Sequence, residues 1–144
     1  MIQLGLAAGT IAGAIMLFLS HLAPLFGAGN FILDLDEPRV FGREITRREA
    51  HVLGVLVHLL MTAVFGGVYA WLVETGMFLD FSLLPILIWG LLATLFMGGV
   101  VFPIEGHGLF GIREDNWFPV DLVITNVGWA LIFWWIIRLW PSAM

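Results

Sequence analysis

The chain has 144 residues, of which 60% are hydrophobic and only 12% are charged. A water-soluble domain of this length could not bury so much apolar surface, so lipid must cover much of it. The formal net charge is −5 and there is no lysine, which excludes a basic nucleic-acid-binding surface. The absence of cysteine excludes disulfides, thiolate metal sites and cysteine nucleophiles.

The N-terminal stretch predicts a first membrane-spanning helix over residues 2–25. It lacks the basic segment and cleavage site of a signal peptide, so we expect it to remain as a span. Gly5, Gly9 and Gly13 recur every four residues, a pattern that lets a neighbouring helix backbone approach closely. The polar loop 27–48 follows, and we expect it to pack on the end of the bundle or on a partner.

The second predicted span covers residues 50–74. Thr46 and Glu49 have the spacing of a capping box, which predicts a helix start. Between residues 52 and 73 the only strongly polar side chain is His58. Because a helix turns by ~100° per residue, His51, His58 and Thr62 share one face. We expect that face to turn toward neighbouring helices and away from lipid.

Two further spans are predicted over residues 83–102 and 119–139. Ser82 is positioned to cap the third helix, and Pro103 is expected to end it. A glycine-rich polar loop, 104–118, separates the two spans. The fold class is therefore an all-α, four-transmembrane-helix bundle in a single integral membrane domain over residues 1–144.

The two halves of the chain show an internal similarity. Residues 57–71 align with residues 120–134 at one constant offset, which superposes Thr62 on Thr125, and Gly9 similarly matches Gly90. This pattern predicts two parallel helix-hairpin repeats related by an axis along the membrane normal.

Five of the six arginines lie in the two long loops, and only Arg138 lies at the opposite side. The positive-inside rule then places both long loops in the cytoplasm and both termini outside. We expect an integral protein of a bacterial inner membrane.

Histidines and carboxylates gather near the loop side of the predicted bundle. His58 lies ~25 Å from the outer end of its helix, and Asp121 and His21 lie at similar depths. We therefore expect a polar contact between His58 and Asp121. Three interpretations stay open. These side chains form hydrogen bonds with one another and with the loop ends, they bind a metal ion, or they are axial ligands of a haem or pigment. The candidate metal ligands are His21, His58, Glu105, His107 and Asp121, and the candidate haem or pigment ligands are His21 and His58.

His58–Leu59 at the start of an apolar stretch, Gly66–Gly67, Tyr69 and the glycine-rich first helix resemble the layout of small four-helix integral membrane proteins of bacteria. That resemblance implies the layout and no activity. We expect a non-catalytic accessory or structural subunit that packs with lipid and with other membrane proteins or itself. The alternative is a haem-, pigment- or metal-binding redox subunit that uses the histidines.

Overall fold

A computed structural model describes residues 1–22, 39–40, 43–44, 46–77, 80–113 and 116–140. Four of its helices are long and apolar enough to cross a membrane, as predicted. The elements, in chain order, are α1 (Ile2–Leu22), a two-residue antiparallel hairpin of β1 (Arg39–Val40) and β2 (Arg43–Glu44), α2 (Arg47–Glu74), α3 (Leu83–Phe96) with a π-helix (Met97–Val101), α4 (Phe102–Glu105), a 3-10 turn (Leu109–Gly111) and α5 (Phe118–Arg138).

The four long helices alternate in direction. The Met1 ammonium pairs with the Glu74 carboxylate at 2.6 Å, which brings the start of α1 beside the end of α2. Arg138, at the end of α5, acts electrostatically on Asp80, just before α3. We call this side of the bundle the Glu74 end. The opposite side, which holds residues 21 and 51, is the His51 end.

The glycine pattern of α1 packs against α2. A Cβ at Gly9 would overlap the Thr62 carbonyl, and one at Gly13 would overlap the Thr62 side chain. Gly5 approaches the Gly66 backbone equally closely. The predicted close approach of a neighbouring backbone is confirmed, and that neighbour belongs to the same chain.

The second hairpin, α3 and α5, also meets at a glycine. A Cβ at Gly90 would lie 3.0 Å from the Asn126 carbonyl oxygen and 2.9 Å from the Ala130 Cβ. The two hairpins are joined where the Trp129 indole N–H donates to the Gly9 carbonyl at 3.2 Å. Because the indole is buried, this bond satisfies a donor that lipid could not.

An aromatic cluster closes the bundle toward the Glu74 end. Tyr69 and Phe133 are fully buried, with perpendicular rings 6.0 Å apart. Trp129 stacks on Phe133 at 5.0 Å. The Trp89 indole N–H donates to the Phe65 carbonyl at 3.2 Å and links α3 to α2. These rings join all four long helices.

The predicted end of the third span at Pro103 is wrong. The chain passes from α3 through the π-helix into α4 and ends at Gly106, whose φ of 91° is the left-handed conformation that terminates helices. Pro103 lies just after the π-helix within this continuous helical segment, so the proline does not end the span. Ser82 occupies the N-cap position of α3, but its side chain makes no capping hydrogen bond.

The segment after α4 covers the His51 end of α3 and α5. The Phe110 ring lies against Gly98 of the π-helix, at a distance that leaves no room for a side chain there. Phe110 itself has a φ of 53°, a conformation unusual for a residue with a Cβ. The Phe118 ring packs in the same way on Gly111. This segment thus caps the hairpin of α3 and α5.

Candidate functional site

The predicted polar stripe of α2 does face a neighbouring helix. The Thr46–Glu49 capping box is formed, with the Thr46 backbone N–H donating to the Glu49 carboxylate at 2.8 Å. From there the helix turns His51, His58 and Thr62 toward α1. The predicted helix start and the predicted orientation of the stripe are both confirmed.

His21 and His51 meet at the end of the α1–α2 pair. Their ring centroids lie 5.6 Å apart, with the ring planes at 88°. The Nδ1 atom of His21 is 2.7 Å from the Leu17 carbonyl oxygen. Because a carbonyl oxygen only accepts, Nδ1 carries the proton of that bond, and Nε2 is then the acceptor nitrogen of the neutral ring.

His58 lies deeper in the same helix pair. It is two helical turns from His51, or about 10 Å, and the Gly13 carbonyl is close to its ring. Its Nε2 atom is buried and has no hydrogen-bond partner among the described residues. A buried polar atom without a partner is costly in an apolar bundle, so this nitrogen is available to a ligand or a water molecule.

Asp121 lies in the first turn of α5, where its carboxylate interacts favourably with the helix dipole. The Thr125 hydroxyl donates to the Asp121 backbone carbonyl at 2.7 Å. The sequence predicts that Asp121 and His58 approach each other directly, through one water or through a shared ligand. A direct hydrogen bond to His58 Nε2 is not formed among the described residues, and the Gly13 carbonyl lies close to the His58 ring. Helix α2 packs mainly on α1, whereas α5 packs mainly on α3 and α1.

His107 lies in the turn after α4. Its ring contacts Phe102 edge to face at 6.0 Å, and its backbone N–H donates to the Phe102 carbonyl at 2.9 Å. The Arg113 backbone N–H in turn donates to the His107 carbonyl at 3.2 Å. His107 is therefore part of the cap over α3 and α5. The side chain of Glu105 lies outside the described residues.

Among the candidate metal ligands whose side chains are described, namely His21, His58, His107 and Asp121, no three lie together. In the described part of the chain, no group of three or more His, Asp or Glu side chains is close enough to share one ion. The five-residue metal set and the His21–His58 haem or pigment pair stay predictions. The neighbour that His21 does meet is His51, which the candidate set omitted.

The contact between His21 and His51 could have been predicted from the antiparallel register of α1 and α2. Gly9 faces Thr62 and Gly66, and Gly13 faces Thr62. The same register, continued along both helices, brings His21 to His51. Aligning the glycine repeat of α1 with the polar stripe of α2 would therefore have placed His21 beside His51.

A second polar cluster lies at the Glu74 end. The Tyr69 hydroxyl donates to the Asp80 backbone carbonyl at 2.8 Å. Hydrogen bonds from the Ser82 side chain and backbone hold the pKa of the Asp80 carboxyl below its usual value, with Arg138 contributing in the same direction. The Arg138 guanidinium lies 5.5 Å from the centre of the Trp134 ring. These contacts fix the turn between α2 and α3.

No protein-family model matches the chain, and no curated protein or solved structure matches it either. Function must therefore be argued from the geometry of the bundle.

Proposed function

We propose that this chain is a non-catalytic, integral membrane subunit that associates laterally, with itself or with another membrane protein, through the exposed face of α2. The observation that carries the proposal is the uneven burial of the spans. Only 17% of the residues in the apolar window of α2 are buried in the bundle, against 28% in each of the other three spans. The longest helix is thus the least covered one.

The exposed face of α2 has the spacing of a helix-packing seam. It is apolar throughout, and its members recur at intervals of three and four residues: Leu53, Val57, Leu60, Val64, Val68 and Trp71. Leu60 is 64% exposed. Gly54 adds a position on α2 where a side chain would meet nothing in the chain.

The interior supports a structural role. Its two buried polar side chains among the described residues, Ser20 and Thr94, both donate to carbonyls of their own helices, at 2.9 and 3.1 Å. Such bonds within one helix occupy the donors of these two hydroxyl groups.

Site-directed crosslinking tests the proposal, since the natural chain has no cysteine that would interfere. Single cysteines placed along α2 from residue 53 to 71 are treated in native membranes with a short thiol- and photoreactive crosslinker. An interface gives crosslinking that rises and falls with the 3–4 spacing and peaks at Leu60→Cys. The matched control is Leu95→Cys on α3, because the Leu95 side chain is 57% exposed. Uniform or absent crosslinking along α2 means that lipid covers the face and the proposal is wrong.

The orientation belongs to the same proposal. The arginine distribution favours a bacterial inner membrane protein with the His51 end in the cytoplasm. Arg48→Cys at that end should react with a membrane-impermeant thiol reagent only after the cells are opened. Met77→Cys, at the opposite end and 72% exposed in the wild-type residue, should react in intact cells. The reverse pattern overturns the orientation, and labelling from one side overturns the four-span topology.

We also infer that the hairpins arose by duplication. Gly9 contacts Thr62 and Gly66, and the matching Gly90 contacts Asn126 and Ala130, one residue beyond the positions that the sequence alignment pairs. The paired contacts α1–α2 and α3–α5 agree with two repeats, whereas the contact α1–α5 has no counterpart of similar extent between α3 and α2 among the described residues. An experimental structure in which the hairpins do not superpose would contradict this inference.

A haem- or pigment-binding subunit is the second candidate. The buried, unpartnered Nε2 of His58 favours it, since an axial ligand needs a free imidazole nitrogen. The absorption spectrum of the protein purified from its own membranes tests it directly. A Soret band that disappears in His58→Leu supports the candidate, and a spectrum with tryptophan absorption alone rejects it.

A further inference from the structure

We propose that His21 and His51 form a two-histidine site for a divalent transition-metal ion, which clamps α1 to α2 at the His51 end. The site does not depend on the proposed lateral association through the other face of α2. Imidazole is a ligand suited to Zn²⁺, Cu²⁺ and Ni²⁺. The five-residue metal set predicted from the sequence did not contain this pair.

The spacing of the rings fits one shared ion. Metal–nitrogen bonds of about 2.0–2.1 Å place the centroids of two imidazoles on one near-tetrahedral ion roughly 5–6 Å apart. The observed separation of the His21 and His51 centroids is 5.6 Å. Both side chains are exposed, so rotation of His51 about its own side-chain bonds can direct a nitrogen to the same point as His21 Nε2.

The hydrogen bond of His21 prepares it as a ligand. Histidines that bind metals usually donate their second ring N–H to a carbonyl or carboxylate, which fixes the tautomer and orients the ring. His21 donates from Nδ1 to the Leu17 carbonyl at 2.7 Å, which leaves Nε2 as the metal-binding atom. Water completes the coordination, because no third His, Asp or Glu joins the pair among the described residues.

The position of the pair gives the ion a structural effect. The contacts of α2 with α3 include those of Phe65, whose ring lies 6.3 Å from that of Phe96 and whose carbonyl accepts from the Trp89 indole N–H. The part of α2 before Phe65 packs on α1. A bond through a metal between His21 and His51 would therefore hold the free end of α2 in place, and would stabilise the folded state in proportion to ion occupancy.

Thermal unfolding in detergent tests the site, with protein purified without a polyhistidine tag. Zn²⁺ should raise the unfolding temperature of the wild type, and a chelator should reverse the effect. In His21→Gln and in His51→Gln, the affinity for Zn²⁺ should fall at least about tenfold, since even outer-shell partners contribute that much. His107→Gln removes a histidine at the same end that is not in the pair, and should bind as the wild type does.

Cu²⁺ gives an independent measurement. Electron paramagnetic resonance should show nitrogen hyperfine structure from two imidazoles in the wild type and from one in either single variant. Retention of wild-type Zn²⁺ affinity in either variant, or an equal loss in His107→Gln, overturns the shared site. A loss of Zn²⁺ affinity in only one of His21→Gln and His51→Gln also overturns the shared site, because the ion would then not bridge the two helices. Both variants replace exposed side chains, so folding without metal should be unchanged.

Discussion

The two ends of the bundle hold α2 in different ways. Toward the Glu74 end, Tyr69 contacts Phe81, Trp89 and Phe133, so α2 is enclosed by α3 and α5 as well as by α1. Toward the His51 end, residues 51–54 are all exposed, and the close contacts of α2 are with α1. At that end α3 and α5 carry their own cap, formed by Phe110 and Phe118.

The difference shows that α2 is enclosed by the other three long helices toward the Glu74 end, and that its close contacts toward the His51 end are with α1. Small residues along α1 hold α2 over most of its length, while large rings enclose only its second half. Close backbone contact is the main attraction that apolar helices have inside lipid, where burial of apolar surface contributes little. The histidines lie where α2 has that contact alone, which leaves them open to an ion, a cofactor or water.

The largest expected effect comes from filling the α1–α2 contact. Gly9→Leu should lower the free energy of unfolding by more than about 3 kcal/mol, because the new side chain overlaps the Thr62 and Gly66 backbone. Thermal unfolding in one detergent measures the loss. Gly54→Leu is the control, since a side chain there meets nothing within 4 Å. Equal stability of Gly9→Leu and Gly54→Leu would mean that α1 and α2 do not pack through these glycines.

Loss of a ring from the aromatic cluster should have the next largest effect. Phe133→Ala should cost about 2–3 kcal/mol, because it leaves a cavity among Tyr69, Trp129 and Gly66, although lipid reduces the transfer contribution. Leu131→Ala, on the same helix but 43% exposed in the wild-type residue, should change the unfolding temperature little. Similar losses in the two variants would remove the distinction between an enclosed and an open half.

Tyr69→Phe tests how much one hydrogen bond contributes to the α2–α3 turn at the Glu74 end. It removes the hydrogen bond to the Asp80 carbonyl and keeps the ring, so we expect a loss of about 1 kcal/mol. Trp71→Phe, on the same helix but exposed on the outer surface of the bundle, serves as the control. An unchanged unfolding temperature for Tyr69→Phe would show that this bond does not secure the α2–α3 turn.

The smallest effect concerns pH. The pKa of Asp80 is lower in the folded protein than its ordinary value of about 4. Its stabilising contribution is therefore complete above that ordinary pKa, and it is lost as pH falls through the lower folded value. The difference in unfolding temperature between wild type and Asp80→Asn should shrink over this acidic range. If the difference in unfolding temperature stayed constant over the acidic range, ionisation of Asp80 would not contribute to the stability of the turn.

The sequence predicted the elements of this fold better than their contacts. Apolar length identified the four spans, and the Thr46–Glu49 spacing located the start of α2, because both are local properties. Pro103 was misread because the rule that proline ends a helix does not anticipate the π-helix that precedes it. Ser82 takes the expected N-cap position, but its side chain bonds to Asp80 and makes no capping hydrogen bond.

The histidines illustrate the same limit. Depth along each helix indicated that His21, His58, His107 and Asp121 lie toward one side. Depth does not say which helices pack together along their length, so it paired His58 with Asp121, although α2 packs mainly on α1. The register set by Gly9 and Gly13 selects His51 for His21, and this requires knowing that α1 packs on α2.

Spin-label distance measurements in lipid nanodiscs test the central claim, that α2 is enclosed at one end only. Two double-cysteine variants link α2 to α3 through exposed positions: Val57 with Val100 toward the His51 end, and Val68 with Ile88 toward the Glu74 end. The account predicts a narrow distance distribution for the Val68–Ile88 pair and a clearly broader one for the Val57–Val100 pair. Equally narrow distributions at both ends would contradict it.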